Sequence, residues 1–357
     1  MKWNNGLTKL LDITYPVIQA PMLGVTTPEM VAAVSDNGGL GSLPVGSLSP
    51  DQTAQLIQKV KSYTTKPFAV NLFAHAVPAP FDRPRMENMQ RFMQKFSAAN
   101  GVNYKEQSIE EIKLYAYSEQ VDILLKEDIK IVSFTFGILE DDVLTVLKNK
   151  GVILIGTATC VEEAKILSAK GVDIITAQGI EAGGHRGTFI NNSTIPQVGL
   201  FALLPQIADA VENPVLGAGA IVDGRSIAAA FLLGAQGVQV GSAFVASVES
   251  AAHAAYKKRM PTAKDTDTVL TKSITGRWAR GIKNGLIEQI EQSGIEVAEY
   301  PYQNFLTAPV RLQGQSKNDA ELLSMWAGQG SIKSAGKHAG EIVSQLIRET
   351  EKAFEQF

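Results

Sequence analysis

The chain has a single cysteine, Cys160, in 357 residues, which rules out an intramolecular disulfide and any multi-cysteine metal site. Histidine is scarce too: of the four, His253 sits in an Ala-rich helical run, His338 near the C-terminal end and His75 just past a strand, so no convergent metal set is expected. Basic clusters are missing apart from Lys257-Lys258-Arg259, and the formal charge is −3. No field for a polyanion exists, and nucleic acid is not an expected partner. The longest apolar run, about Ile227 to Ala235 with a glycine inside it, falls far short of the ~20 residues a membrane span requires. Asn4, Asn5, Thr8 and Lys9 interrupt any apolar leader near the start, so no secretory signal is read and a reducing cytoplasm is the expected compartment.

What is present is ample core material, 45% hydrophobic against 19% charged, arranged as short β-branched or apolar runs with helix-like segments between them. Eight runs are read as strands: Val17 to Ala20, Leu40 to Leu43, Phe68 to Leu72, Ile131 to Phe134, Val152 to Gly156, Ile174 to Gln178, Pro214 to Gly217 and Gly237 to Gly241. Most are apolar throughout, as strands buried on both faces are. Helix boundaries are marked by Thr27-Pro28 and by the Ser49-Pro50 to Gln52 capping box, with Gly38-Gly39, Gly171 and Gly234 as stops. An open doubly wound sheet would carry its Gly-rich turn after the first strand; here that turn reads Pro21-Met22-Leu23-Gly24 and the glycines gather after the sixth to eighth strands. The expected fold class is therefore α/β, a (β/α)8 TIM barrel over 1–265. Two segments exceed the repeat. An insertion at about 75–130, with Pro78, Pro80, Pro84, Met86, Met89 and Met93, and a C-terminal helical extension over 266–357 are both expected to cover the barrel mouth.

The chemistry concentrates after the sixth strand, in Gln178-Gly179-Ile180-Glu181-Ala182-Gly183-Gly184-His185-Arg186-Gly187. Four glycines let the backbone approach a flat ligand, and one histidine is left as a base. After the seventh strand comes Gly217-Ala218-Gly219-Ala220-Ile221, with Asp223-Gly224-Arg225 entering a helix, and after the eighth comes Gly241-Ser242-Ala243. Bared N–H groups in these two loops suit a phosphate-bearing cofactor. No strand ends in the lysine a pyridoxal enzyme requires, and no metal set converges. A flavin fits better, with Ala20-Pro21-Met22, Asn71 and Gln178 offering a flat slot at three strand ends.

Several motifs in order, namely Pro16-Val17-Ile18-Gln19-Ala20-Pro21-Met22, Asn71-Leu72-Phe73, Ser133-Phe134-Thr135-Phe136-Gly137, Gln178 to Gly187, Gly217 to Arg225 and Gln239-Val240-Gly241-Ser242, resemble those of nitronate monooxygenases. The likeness runs from about Leu7 to Trp326-Ala327-Gly328-Gln329. It implies an FMN-dependent TIM barrel that oxidises alkyl nitronates with O2 to a carbonyl compound and nitrite. By it the FMN contacts fall on Ala20, Pro21, Met22, Asn71, Gln178, Gly183, Gly184, Gly219, Gln239, Val240, Gly241 and Ser242, and the catalytic histidine on His185. His185 would take the α-proton of a neutral nitroalkane or, protonated, hold the anionic nitronate. The implied partners are a small nitronate or nitroalkane and O2, with a homodimer as the candidate assembly. One departure stands out: relatives usually have two adjacent glycines where this chain has Gly219-Ala220.

Other residues carry blander expectations. Glu181 is read as an anchor of the Gly-rich loop, with Arg186 paired to it or facing solvent, and Cys160 as a small buried hydrophobe. Lys272, Arg277 and Arg280 read as a solvated helix face or subunit contact; Tyr300, Tyr302 and Trp326 as pocket lining or core. Two rival functions remain. One is an FMN- and NADH-dependent enoyl-acyl-carrier-protein reductase, which shares the fold and a Gly-Gly-His loop; the other is a non-enzymatic barrel that holds a phosphate-bearing ligand.

Overall fold

The structure is a computed structural model that describes residues 3–77, 82–105, 108, 112–190 and 194–355. In chain order its strands are β1 (Val17–Gln19), β2 (Gly41–Pro44), β3 (Phe68–Phe73), β4 (Ile131–Thr135), β5 (Ile153–Ala158), β6 (Ile174–Gln178), β7 (Gly184–His185), β8 (Val215–Ala218), β9 (Gly237–Val240), β10 (Thr268–Thr271) and β11 (Ala279–Ile282). Eight of them pair in parallel in the order β1-β9-β8-β6-β5-β4-β3-β2. A further parallel bridge between Ile18 and Leu40 joins the two ends of that series. All eight strands expected from the apolar runs are present, and the sheet is a (β/α)8 TIM barrel.

Burial on both faces explains why the runs are apolar throughout. Their outward side chains pack on the helix ring, and the inward ones meet Leu7 and Leu11 of the helix Gly6–Leu11, which plugs one end against Ile18, Leu40, Ile131, Ile174 and Leu216. Capping follows the sequence closely. Thr27 and Ser49 accept N–H bonds at the starts of Pro28–Asp36 and Pro50–Tyr63, and Gly38, Gly171 and Gly234 adopt the positive φ that lets the chain leave a helix.

The two extra segments share a second core. Met86, Met89 and Met93 lie on one face of the helix Arg83–Ala99 and pack with Ile287 and Ile290 of Gly285–Gln292 and with Leu306 and Val310 of Tyr302–Lys317. Pro78 and Pro80 lie outside the described residues. The C-terminal segment opens with a β-hairpin, β10 to β11, that adds β7 as a third antiparallel strand. It ends in the helix Ala339–Glu355, which packs on Gly224–Leu232 and Pro28–Asp36, the helices that follow β8 and β1. That is the position of the eighth helix of the ring. The excursion over the mouth therefore runs between β9 and the helix that completes its unit, and only the part before Ala339 belongs to the mouth. Among the described residues no helix is long and apolar enough to cross a membrane.

The eighth helix is held by a close approach. A Cβ on Gly224 would overlap the backbone of Glu349 and Thr350, so Gly224→Val is expected to lower stability by about 1–3 kcal/mol through overpacking. Chemical denaturation measures it, and an unshifted midpoint would refute the close contact.

Candidate active site

The carboxyl ends of the barrel strands open into one cavity of about 480 Å³. Eleven of the twelve expected cofactor contacts line it: Ala20, Pro21, Met22, Asn71, Gln178, Gly183, Gly184, Gly219, Gln239, Gly241 and Ser242, together with His185. Val240 does not. Side chains alternate along a strand, so when Gln239 faces inward Val240 faces the helices, where it is fully buried.

The floor is made by polar strand ends. Asn71 donates to Ser133 Oγ at 3.0 Å. The Thr176 hydroxyl is buried without a partner and lines the cavity. At one end the backbone is bare: Gly219 has φ +124° and Ala220 φ +51°, two successive left-handed residues after β8. Ala220 thus takes a conformation that suits glycine, at a cost of roughly 1 kcal/mol. The C-terminal segment brings Gly328 and Gly330 to this cavity, and Gly328 N donates to Ser242 Oγ at 3.0 Å. Gly328 lies in the last segment of the resemblance, with no role expected of it there, and Gly330 lies beyond it.

The His185 loop is fixed from three sides. Gln178 grips it with both ends of its amide, Nε2 donating to His185 O at 3.0 Å and Oε1 accepting from Gly187 N at 2.9 Å. Gly184 and His185 pair with Arg280 and Ala279 of β11. A Cβ on Gly183 would overlap the backbone of Ala327 and Gly328. Glu181 anchors the loop as expected, accepting from Leu200 N at 2.9 Å. Arg186 neither pairs with it nor faces solvent. It is fully buried and donates to Gly179 O at 2.6 Å and Gln178 O at 2.9 Å.

The Lys272–Arg280 stretch is not a solvated helix face, because it forms the turn and second strand of the hairpin. Lys272 lies over the Trp278 ring. Arg280 is buried and donates to Ile180 O at 3.0 Å. Arg277 stacks 4.2 Å over Phe136 and donates to Thr188 O at 2.5 Å. Phe136 itself has φ +77°, a strained setting for an aromatic residue.

His185 sits in an aromatic cage, its ring 5.5 Å from Phe136, 6.0 Å from Tyr300 and 5.3 Å from Trp326. Tyr300 and Trp326 line the cavity, whereas Tyr302 packs in the second core. Nε2 lies 2.9 Å from Thr275 Oγ1, and that hydroxyl donates to Arg277 O at 3.3 Å. The Thr275 hydroxyl thus engages Nε2, donating to it or accepting from it according to the ring tautomer. Burial, and then the charges of Arg277 and Arg311, push the His185 pKa down to about 3. His75, packed against Tyr300 at 5.1 Å, is lowered to about 4 by burial and then Arg277. Of the others, His253 caps a helix through Nδ1 and His338 pairs with Glu249 at 3.0 Å. Cys160 begins the helix Val161–Ala169, and burial raises its thiol pKa. Among the described residues no cluster of His, Cys, Asp or Glu is placed to hold a metal.

Two histidines held neutral make stability sensitive to acid. Their folded pKa values lie below 6.5, so unfolding takes up protons and stability falls as pH drops from about 6.5 toward 4. The Tm is expected to fall over that window, and less steeply in the double variant His75→Phe, His185→Asn. Parallel curves would show that these rings are not the source.

Residues 4–349 match the family model described as nitronate monooxygenase. The chain is 41% identical over 348 residues to a probable nitronate monooxygenase of Bacillus subtilis, covering 97% of this chain and 99% of that one. Among solved structures it is similar to nitroalkane oxidase from Streptomyces ansochromogenes, with TM-score 0.88, 33% identity and 99% of each chain covered. It is also similar to FabK from Thermotoga maritima, with TM-score 0.77, 28% identity and 99% and 98% coverage. A whole-chain family match, a relative at this identity and the same barrel lead to one assignment: the chain belongs to the nitronate monooxygenase family of flavin-dependent oxidoreductases.

Proposed function

We propose that the cavity binds FMN and that the protein oxidises alkyl nitronates, or the nitroalkanes that give rise to them, with O2 to a carbonyl compound and nitrite. The observation that carries this reading is an imidazole held by Thr275 through Nε2 and set, with no other hydrogen-bond partner among the described residues, on the wall of a cavity floored by amides and hydroxyls.

The residues fit FMN. The unpartnered Thr176 hydroxyl and the amides of Asn71 and Gln239 provide hydrogen-bonding groups for a heteroaromatic ring, with Ala20-Pro21-Met22 as a flat wall. The left-handed turn at Gly219-Ala220, together with Gly241-Ser242, offers main-chain N–H groups for a phosphate. At Gly184 a Cβ would meet nothing within 4 Å, so that backbone is open to a bound ring. When bound, FMN would supply the electron acceptor for oxidation of the substrate by O2.

His185 accepts the α-proton of a nitroalkane at Nδ1, while Thr275 keeps the ring oriented through Nε2. Burial holds the imidazole neutral, the form that can accept a proton. Phe136, Tyr300 and Trp326 exclude water from the imidazole and give the alkyl group an apolar surface. The test is oxygen uptake by the yellow protein on addition of ethyl nitronate, with nitrite measured alongside. Nitronate-dependent uptake with nitrite release is the expected result. Bleaching by NADH without air, followed by reoxidation with a crotonyl thioester, would overturn it in favour of a reductase. A colourless protein that takes up no FMN would leave only a phosphate-ligand barrel.

A further inference from the structure

Arg311, on the helix Tyr302–Lys317, lines the cavity with no counter-ion among the described residues. Its Nη2 donates to Asn304 O at 2.6 Å and Asn304 Oδ1 at 2.8 Å. Nε is sealed from solvent with no acceptor, and among the described residues Nη1 has none. Burial lowers its pKa to about 10 with no carboxylate contributing, so the guanidinium stays charged at neutral pH.

The neighbouring guanidinium groups are engaged. Arg186, Arg277 and Arg280 all donate to main-chain carbonyls around the His185 loop, and none of them lines the cavity. Arg311 does line it, together with Asn304 and Gln315 at helical spacings of seven and four residues, which place the three on one face. Its charge is felt at His185 across the same space. A buried cation left unpaired is costly, and a site that retains one is arranged to receive an anion.

We propose that Arg311 is the anion receptor of this cavity and that it binds the oxygens of a nitronate, the deprotonated form of the substrate, while His185 remains neutral. This rests on the oxidation proposed above and deepens it. The two groups divide two substrate forms: the anion is recognised by Arg311, and the neutral nitroalkane is deprotonated by His185. Preference for the nitronate is then a property of the C-terminal segment and not of the barrel.

The experiment compares the FMN-loaded wild type with Arg311→Met and Arg311→Lys, using ethyl nitronate, neutral nitroethane and nitrate, a planar oxyanion that cannot react. Losing a charge-assisted hydrogen bond is expected to raise KM for ethyl nitronate roughly 10- to 100-fold, with KM for nitroethane nearly unchanged. Nitrate binding, read by calorimetry, is expected to weaken in parallel, and Arg311→Lys to recover part of each loss. Equal changes for both substrates, or nitrate binding unaltered in either variant, would overturn the assignment. If the wild type oxidises no nitronate, the proposed reaction fails by itself, and the nitrate titration still decides whether Arg311 receives an anion. Should Arg311→Met fail to fold, the Lys variant and the nitrate titration carry the same decision.

Discussion

Replacing His185 by Asn is expected to leave a folded, yellow protein that turns over neutral nitroethane at least about a hundredfold more slowly, the usual contribution of a positioned base. The prediction follows from the ring's two nitrogens. Thr275 holds Nε2 at 2.9 Å, an interaction an asparagine amide is able to approximate. Nδ1, the nitrogen proposed to accept a proton, has no equivalent in an amide that is never basic. The main-chain grip of Gln178 on residues 185 and 187 does not involve the imidazole, so the loop and the bound flavin should persist. Ethyl nitronate has already lost its α-proton and should be affected far less. A near-normal kcat/KM for nitroethane in this variant would remove His185 from proton transfer. A colourless protein would show instead that its role is to hold the site together.

Glu163→Ala should be the most damaging change away from the cavity. Glu163 is fully buried. Its carboxylate accepts from Thr159 N and Oγ1 at 2.6 and 2.7 Å, and from Thr188 Oγ1 and Phe189 N at 2.7 Å each. It thereby ties the end of β5 to the stretch that follows the His185 loop. Removing it strands several buried donors, each at a cost of about 1–3 kcal/mol. The expected result is a protein recovered largely unfolded or with a strongly lowered Tm. If it can be isolated, it should hold FMN weakly, because the far side of the loop is no longer tied. Glu163→Gln keeps two acceptor lone pairs and should lose less. Comparable Tm values for Ala, Gln and wild type would refute the role.

The barrel was legible because its signals are local. A strand buried on both faces is an apolar run, and a helix start is a Thr or Ser followed by Pro, as at Thr27-Pro28 and Ser49-Pro50. The Gly-rich loop was legible because glycines at that density have few other uses. What escaped reading depends on partners distant in the chain. Glu163 occupies the third position of a helix, where a glutamate ordinarily signals capping, and nothing nearby reveals Thr188 and Phe189 as its acceptor's partners. Thr275, Trp326 and Arg311 come from the segment after the barrel; the first two touch His185, and Arg311 lines the same cavity, only through the fold of that segment. The charges at Lys272, Arg277 and Arg280 looked solvated because a turn and strand rich in Arg carry no apolar period. The outward turn of the Val240 side chain is hidden for a simpler reason: an unbroken run of motif residues masks the alternation of a strand.

The last ring helix, Ala339–Glu355, joins a wall whose neighbouring helix is Pro28–Asp36, some three hundred positions earlier in the chain. A nascent chain emerging from a ribosome therefore holds all eight barrel strands well before the piece that shields their first and last members. Until then those members are sheltered on the inside only, and the incomplete wall exposes an apolar seam at which neighbouring chains would aggregate. Synthesis of this enzyme should consequently depend on chaperone protection late in elongation, and a product ending at residue 338 should collect in the insoluble fraction even though every strand is present.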